Sequence, residues 1–340
     1  MKWIDSLRWF FLGASLEAQR ARRVGKILLL LALFIALFWV VPFQGVFKNL
    51  LMANPGLFAA GVCLSLVSIS FGALELEPLT RNQGMGQNFW QLLSINLAVK
   101  FYLLFTPSSL IASGIRWYRL SKPNGRVAES LVALAFYRLL EVFLTIAFGL
   151  GFWFLSGQES VKIGFQWLVV LILGVMLFWY VATRWSKPIY FRVKSQTSHI
   201  WQKPYLLALL QKFEKLILAV AAYAEMPGRD ILLSISAGVA AQLIGVASGL
   251  CVARAVGIEL SFIELGWIIA LINLATQLPF AIVGGLGIRE VTLVAVLPIY
   301  GIGAELALAY SLLLFARQVL VSLVGGLLEV IGVVSEKRVA

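Results

Sequence analysis

The stretch that decides the fold is Phe262-Ile-Glu-Leu-Gly-Trp-Ile-Ile-Ala-Leu-Ile-Asn273-Leu-Ala-Thr-Gln277-Leu-Pro279-Phe-Ala-Ile-Val-Gly284-Gly285-Leu-Gly287-Ile-Arg289-Glu290-Val-Thr-Leu-Val-Ala-Val-Leu297. It is apolar over more than the roughly 20 residues that a bilayer crossing needs. Yet its centre holds a proline, three glycines, two amide side chains and an adjacent arginine and glutamate. Lipid satisfies no backbone polar group, so irregular chain at that depth is tolerated only where protein or water covers it. A broken segment of this kind therefore reads as a hairpin that enters the membrane and returns, inside a larger helical assembly.

The rest of the chain agrees with a membrane setting. The 340 residues are 61% hydrophobic and 13% charged, with mean hydropathy +0.91. A soluble domain carries about 25% charged residues. The apolar runs are long and continuous, not alternating ten-residue strands, which selects helices over a barrel. The expected class is all-α: a polytopic membrane helix bundle of six full spans and two re-entrant helical hairpins, arranged as an inverted repeat.

Four segments follow from the hydropathy and charge. Residues 1–26 form an interfacial N-terminal segment, with Arg8, Arg20, Arg22, Arg23 and Lys26 beside Trp3, Phe10 and Phe11. Residues 27–183 form the first transmembrane half. Residues 184–229 form a basic linker, in which leucines at helical spacing surround Lys212, Glu214 and Lys215 and place a helix along the membrane surface. Residues 230–340 form the second half. Spans are expected at 27–47, 56–76, 127–155, 163–183, 231–253 and 304–333, with Glu75 and Glu77 near water at the end of the second.

The first broken region, 89–113, is interrupted by Asn96, Lys100 and Pro107, reaches Gly114, and leads into Arg116, Arg119, Lys122 and Arg126. If it crossed completely, that basic cluster would lie outside, against the positive-inside bias. Entering and leaving on the same side keeps every basic cluster, with both termini, in the cytoplasm of a cell inner or plasma membrane. The net charge of +12 is thus assigned to anionic membrane lipid, not to nucleic acid, since no aromatic-basic module accompanies it.

The two broken regions echo one another. Pro107 precedes Ser113-Gly114-Ile115-Arg116, and Pro279 precedes Leu286-Gly287-Ile288-Arg289. Each is followed by a span with an internal arginine, Arg138 and Arg317. Paired interrupted segments in inverted halves point to a midplane site. Glycine and proline that merely allow close helix packing are the plainer account. Intramembrane arginines need a cavity, a headgroup or a carboxylate, and a guanidinium fork matches phosphate oxygens. Candidate headgroup ligands are Arg116, Arg138, Arg289 and Arg317, with Glu141 and Glu290 as counter-ions. Pro107, Gly114, Pro279, Gly284, Gly285 and Gly287 shape the hairpins, and Asn96, Lys100, Asn273 and Gln277 supply polar lining. A structural ion pair accounts equally well for Arg289 with Glu290. Cys63 and Cys251 lie in apolar runs, His199 stands alone, and no metal or cofactor motif is present.

Pro279 through Gly284-Gly285-Leu286-Gly287-Ile288-Arg289-Glu290 resembles the signature of the lysylphosphatidylglycerol synthase transmembrane region, a family also called flippase-like. Ile288 stands where the family usually has valine. The counterpart at 106–116 keeps the proline, small residues and arginine of the family pattern but lacks its acidic residue. The resemblance implies spanning helices with two re-entrant elements and a role in lipid or glycolipid translocation. Full-length synthases of that family add a cytoplasmic aminoacyl-transferase domain, which this sequence is expected to lack.

Three functions follow as expectations. The first is a flippase-like protein that binds and translocates a phosphate-headed phospholipid or polyprenyl-linked glycolipid. The second is a non-transporting accessory subunit of a lipid- or glycan-modifying enzyme partner. The third, a membrane enzyme, is disfavoured because no Asp-x-Asp pair, Walker loop or His/Cys cluster occurs.

Overall fold

The structure, a computed structural model, describes residues 43–105, 109–123, 125–157, 170, 173–174, 177, 179–188, 191–192, 204–277 and 287–339. The described residues form helices and no strand: α1 (Phe43–Leu51), α2 (Pro55–Asn82), α3 (Phe89–Phe105), α4 (Ser109–Ser121), α5 (Val127–Leu155), α6 (Pro204–Ala222), α7 (Gly228–Ala255), α8 (Phe262–Gln277), α9 (Ile288–Val296) and α10 (Ala304–Val339). Short 3-10 turns, Tyr223–Glu225 and Leu297–Tyr300, join α6 to α7 and α9 to α10. Among the described residues, α2, α5, α7 and α10 are long and apolar enough to cross a membrane, while α3 and α8 are shorter apolar helices. The chain is therefore an all-α polytopic membrane bundle. The N-terminal segment and most of the expected spans 27–47 and 163–183 lie outside the described residues.

Local sequence explains where the helices begin. Asn54 caps α2, its Oδ1 accepting from the Gly56 and Leu57 amides at 2.9 and 3.1 Å, with Pro55 in the first turn where no amide partner is needed. Asn88 and Gln91 form a reciprocal capping box at the start of α3, with bonds of 3.0 and 3.1 Å. Ser261 and Glu264 do the same for α8.

These matching caps belong to a wider correspondence. A shift of 173 residues, the separation of the bonded pair Ser68 and Ala241, carries the first half onto the second. It takes α2 onto α7, each 28 residues long. It takes the left-handed Gly84 onto the left-handed Gly257. It also takes Asn88 onto Ser261, Phe89 onto Phe262, Gly114 onto Gly287 and Arg116 onto Arg289.

The halves are inverted. Gly61 of α2 faces Ser248 and Val252 of α7, Ser68 bonds the Ala241 carbonyl, and Arg81 pairs with Asp230. Rising numbers on α2 meet falling numbers on α7, so the two helices run antiparallel. The seam holds Gly61 and Ser68 against Ala241, Gly245 and Ser248, side chains small enough for the backbones to approach closely.

Each half then lends its hairpin to the other. α3 packs on α10, where a Cβ on Gly325 would fall 2.1 Å from the Leu97 carbonyl oxygen. α8 packs on α5, where a Cβ on Gly149 would fall 2.9 Å from Cβ of Ala270. Both hairpins return to the level at which they start. Gln87, just before α3, donates to the carbonyl of Leu120 at the end of α4 over 3.0 Å. Trp267, in the first turns of α8, donates to the hydroxyl of Tyr300 over 2.8 Å. Two apolar cores result, one per half. Leu76, Leu92, Val99, Val132 and Phe136 belong to the first, and Leu265, Ile268, Leu293, Leu297 and Leu314 to the second.

Three expectations are corrected. Gly114, expected at a hairpin turn, lies within α4 in an exposed position with open space around it. α3 ends at Phe105 and α4 begins at Ser109; residues 106–108 lie outside the described residues. Arg116 and Arg119, expected in a polar cluster after the hairpin, ride on its return helix α4. α2 continues past Leu76 and through Pro78 to Asn82, which draws Glu75 into the interior, away from water. The linker helix is present as α6. It packs against α5 and α2, with Gln83 donating to the Ala219 carbonyl over 2.8 Å.

Two measurements check this arrangement. In a chain whose Cys63 and Cys251 are replaced by serine, the pair Ser68→Cys and Gly245→Cys will oxidise to an intramolecular disulfide, because a Cβ at Gly245 lies 3.6 Å from the Ser68 hydroxyl. Gly61→Cys with Val252→Cys will oxidise likewise, whereas Gly61→Cys with Ser234→Cys, the pair that parallel helices would bring close, will stay reduced on the same gels. Gly325→Ala, which drives a methyl into the Leu97 backbone, will destabilise the folded protein by about 1–3 kcal/mol. Gly114→Ala, in open helical space, will leave the thermal unfolding midpoint unchanged or raise it.

Candidate functional site

Six helices bring polar side chains to the region between the halves, most of them buried or half-buried, although the side chain of Arg138 is 45% exposed. On α5, Tyr137, Arg138 and Glu141 occupy about one turn, and Arg138 donates to Glu141 over 2.6 Å. On α4, Arg116 sets its guanidinium over the Tyr137 ring, 5.2 Å from the centroid. On α3, Asn96 and Lys100 stand four residues apart and so share a face. Asn96 is buried and its Oδ1 has no hydrogen-bond partner among the described residues. Lys100 lies in the field of Glu141, Arg116, Arg138 and also Arg317, which reaches in from α10 of the other half. Glu75 of α2 completes the group, within the field of Glu141 and Arg116.

Arg317 stands on the central seam. It donates to the Ser248 hydroxyl over 2.7 Å, and that hydroxyl donates to the Gly61 carbonyl over 2.6 Å. The Nε atoms of Arg317 and of Arg116 are buried and have no partner among the described residues. Guanidinium is a planar fork of five donors, so each of these arginines presents an unused edge toward the interior. Gln242 of α7 joins Thr145 of α5 over 2.8 Å, one turn beyond Glu141.

The two repeat-related arginines differ in state. Arg116 is half-buried and incompletely partnered. Arg289 is 5% exposed and Glu290 1%, and they pair over 2.8 Å. Ser311 of α10 ties them together: Arg289 Nε donates to its hydroxyl over 2.9 Å, and the hydroxyl donates to Glu290 over 2.7 Å. The second carboxylate oxygen of Glu290 accepts from the Gly287 amide over 2.6 Å, where Gly287 turns into α9 at φ +90°. The guanidinium also covers the Phe315 ring. This network is closed on itself. It holds the second hairpin's return helix to α10, and it fits the structural ion-pair account better than an open ligand edge.

The candidate residues thus separate into two groups. Arg116, Arg138, Glu141 and Arg317 all act electrostatically on Lys100, Arg138 from an exposed position and paired with Glu141, and buried Asn96 shares the Lys100 face of α3. Arg289 and Glu290 are engaged with each other. Asn273 is half-buried on α8. Pro107, Pro279, Gly284 and Gly285 lie outside the described residues, as does the side chain of Gln277. Sequence reading missed Glu75, Tyr137, Ser248 and Ser311. The repeat shift is the signal that finds Glu75, since it maps that residue onto Ser248, well inside α7. A serine or tyrosine in an apolar helix carries no comparable sign.

Searches of curated proteins and of solved structures return no match. The family model described as the lysylphosphatidylglycerol synthase transmembrane region matches residues 24–326, which takes in both inverted halves and the linker between them. With the Gly-Ile-Arg-Glu turn closing onto α10 and the match running through nearly the whole bundle, the chain belongs to the lysylphosphatidylglycerol synthase transmembrane-region family.

Proposed function

We propose that this membrane protein binds a phosphate-headed lipid, a phospholipid or a polyprenyl-linked glycolipid, between its inverted halves and passes the headgroup across the bilayer. The observation that carries this reading is the charge at the meeting of the halves. Lys100, Arg116, Arg138 and Arg317 gather there against Glu75 and Glu141. Cations in a low-dielectric interior are costly unless paired; Arg138 is exposed and already paired with Glu141, which leaves Lys100, Arg116 and Arg317 short of an anion among the described residues. A phosphate supplies the missing anion, and its oxygens fit the unused Nε–H edges of Arg116 and Arg317.

Movement of the headgroup has a physical route in the exchanged hairpins. Because α3 leans on α10 and α8 on α5, a tilt of one half carries the other half's hairpin with it. The acyl or prenyl chains stay in lipid throughout, so only the headgroup needs a polar path. In this reading the protein sits in the inner or plasma membrane with both termini cytoplasmic, so that the basic stretch 184–229 faces anionic lipid.

Purified protein in proteoliposomes will accelerate transbilayer movement of an acyl-labelled fluorescent phosphatidylglycerol, read by quenching with an impermeant reductant. Arg116→Ala and Lys100→Ala will each slow it about tenfold or more, since one charge-assisted hydrogen bond lost from the transfer step is worth at least that. Rates equal to protein-free vesicles, or insensitivity to both substitutions, would overturn the reading. Arg289→Ala will act differently. It leaves Glu290 charged and buried, and will lower folded stability by about 3–5 kcal/mol, seen as a fall in thermal midpoint and yield.

A further inference from the structure

Beside the Arg116 guanidinium, three helices bring neutral polar groups together around a glycine. Arg116 lies over the face of the Tyr137 ring, 5.2 Å from its centroid. At the rim of that ring, the Tyr137 hydroxyl meets α2 at Gly72, where an added Cβ would sit 3.4 Å from it and 3.9 Å from Asn96 Nδ2 of α3. Tyr137 is 7% exposed and Asn96 3%. Asn96 Oδ1 has no hydrogen-bond partner among the described residues. Lys100 shares the Asn96 face of α3 one turn on, and Glu75 lies three residues after Gly72 along α2.

Packing does not require the glycine here. At Gly61 or Gly238 a Cβ would collide with α7 or α5, whereas at Gly72 it would meet its two polar neighbours at ordinary contact distance. Gly72 thus leaves a space of about one methyl group in front of a phenol hydroxyl and a carboxamide. A buried amide oxygen left unpaired costs the desolvation of that atom, so a partner that donates to Asn96 Oδ1 recovers that cost.

We infer that Asn96, Tyr137 and the open face of Gly72 form a hydroxyl-binding subsite beside Arg116, which selects a polyol phosphate headgroup, glycerol or sugar, over an amine-bearing one. The inference rests on the phosphate-binding reading above and narrows its substrate class. A phosphate oxygen takes the unused Nε–H edge of Arg116 on the ring face, and its ester substituent comes to the rim. A hydroxyl there donates to Asn96 Oδ1 and accepts from Asn96 Nδ2–H or from the Tyr137 hydroxyl, since it is both donor and acceptor. An ammonium only donates. It leaves those donors unpaired and meets Arg116 and Lys100 as like charges. Glu75 is the one group nearby that favours an ammonium, and its Oε1 also has no hydrogen-bond partner among the described residues. The choice between hydroxyl and amine is therefore the decisive comparison.

Calorimetric titration of the purified full chain in micelles makes that comparison with three short-chain lipids: phosphatidylglycerol, phosphatidylpropanol, which matches it in size and charge but lacks both hydroxyls, and phosphatidylethanolamine. The wild-type protein will bind phosphatidylglycerol at least about tenfold more tightly than either of the others, because a site built to bond a hydroxyl is left unpaired by an analogue without one. Tyr137→Phe, Asn96→Leu and Gly72→Ala will each move the ratio of phosphatidylglycerol to phosphatidylpropanol affinity toward one. Arg116→Ala will weaken both lipids and keep the ratio. Both affinities are referred to the same folded fraction of one preparation, so partial unfolding of a variant does not imitate a change in their ratio. Equal binding of phosphatidylglycerol and phosphatidylpropanol, tighter binding of phosphatidylethanolamine, or a ratio untouched by all three subsite variants would overturn the inference and leave the proposed function standing. Failure of the wild-type protein to bind any of the three lipids would overturn both.

Discussion

Two helices of equal length run antiparallel along a seam of glycine, alanine and serine, and the rest of the bundle is placed by that contact. Within lipid there is no gain from bringing apolar side chains together, so helix association depends on close packing and interhelical hydrogen bonds. The α2–α7 seam provides both, through its small residues and through the bonds from Ser68 and Ser248 to carbonyls across it. Because the seam is antiparallel, everything attached to α2 in the first half has an inverted counterpart attached to α7 in the second. The exchange of hairpins follows: α3 finds its groove on α10 and α8 finds its groove on α5.

This geometry sends charged side chains inward from both directions. The near-repeat does not produce equivalent sites, however. In the second half, Glu290 follows Arg289 directly and Ser311 lies within reach of both, so the arginine is neutralised where it stands. In the first half, Trp117 follows Arg116, and its indole bonds the Val127 carbonyl over 3.1 Å, tying α4 to the start of α5 without offering a charge. One acidic residue present in one hairpin and missing from the other divides the repeat into a fastened half and an open one. The acid that faces Arg116 comes instead from α2, as Glu75.

The fastening of α4 has a further anchor. Arg119, one turn beyond Arg116, pairs with Glu329 on α10, and the Tyr102 hydroxyl of α3 donates to the same carboxylate. The first hairpin is therefore bound to the second half at its return helix as well as along α3. Movement of α10 relative to α5 would be felt by Arg116 through that pair, which gives the open site a mechanical connection to the closed one.

The sequence by itself determined the membrane class, the helical content, the two broken regions and their echo, because hydropathy, charge spacing and the placement of proline and glycine act through local and solvent-scale physics. It also marked Arg116, Arg138, Glu141, Lys100 and Arg317 as groups that must find partners inside the bilayer. Tertiary structure alone decided which partners they found. Whether an arginine is closed by a neighbouring glutamate and a serine from another helix, or left with a free edge, depends on contacts between residues far apart in the chain. Whether Glu75 is wet or buried depends on how far α2 continues past Pro78 and on a glycine in α7 that makes room for it. Those facts arise from packing two inverted halves against each other, and no window of sequence contains both sides of that contact.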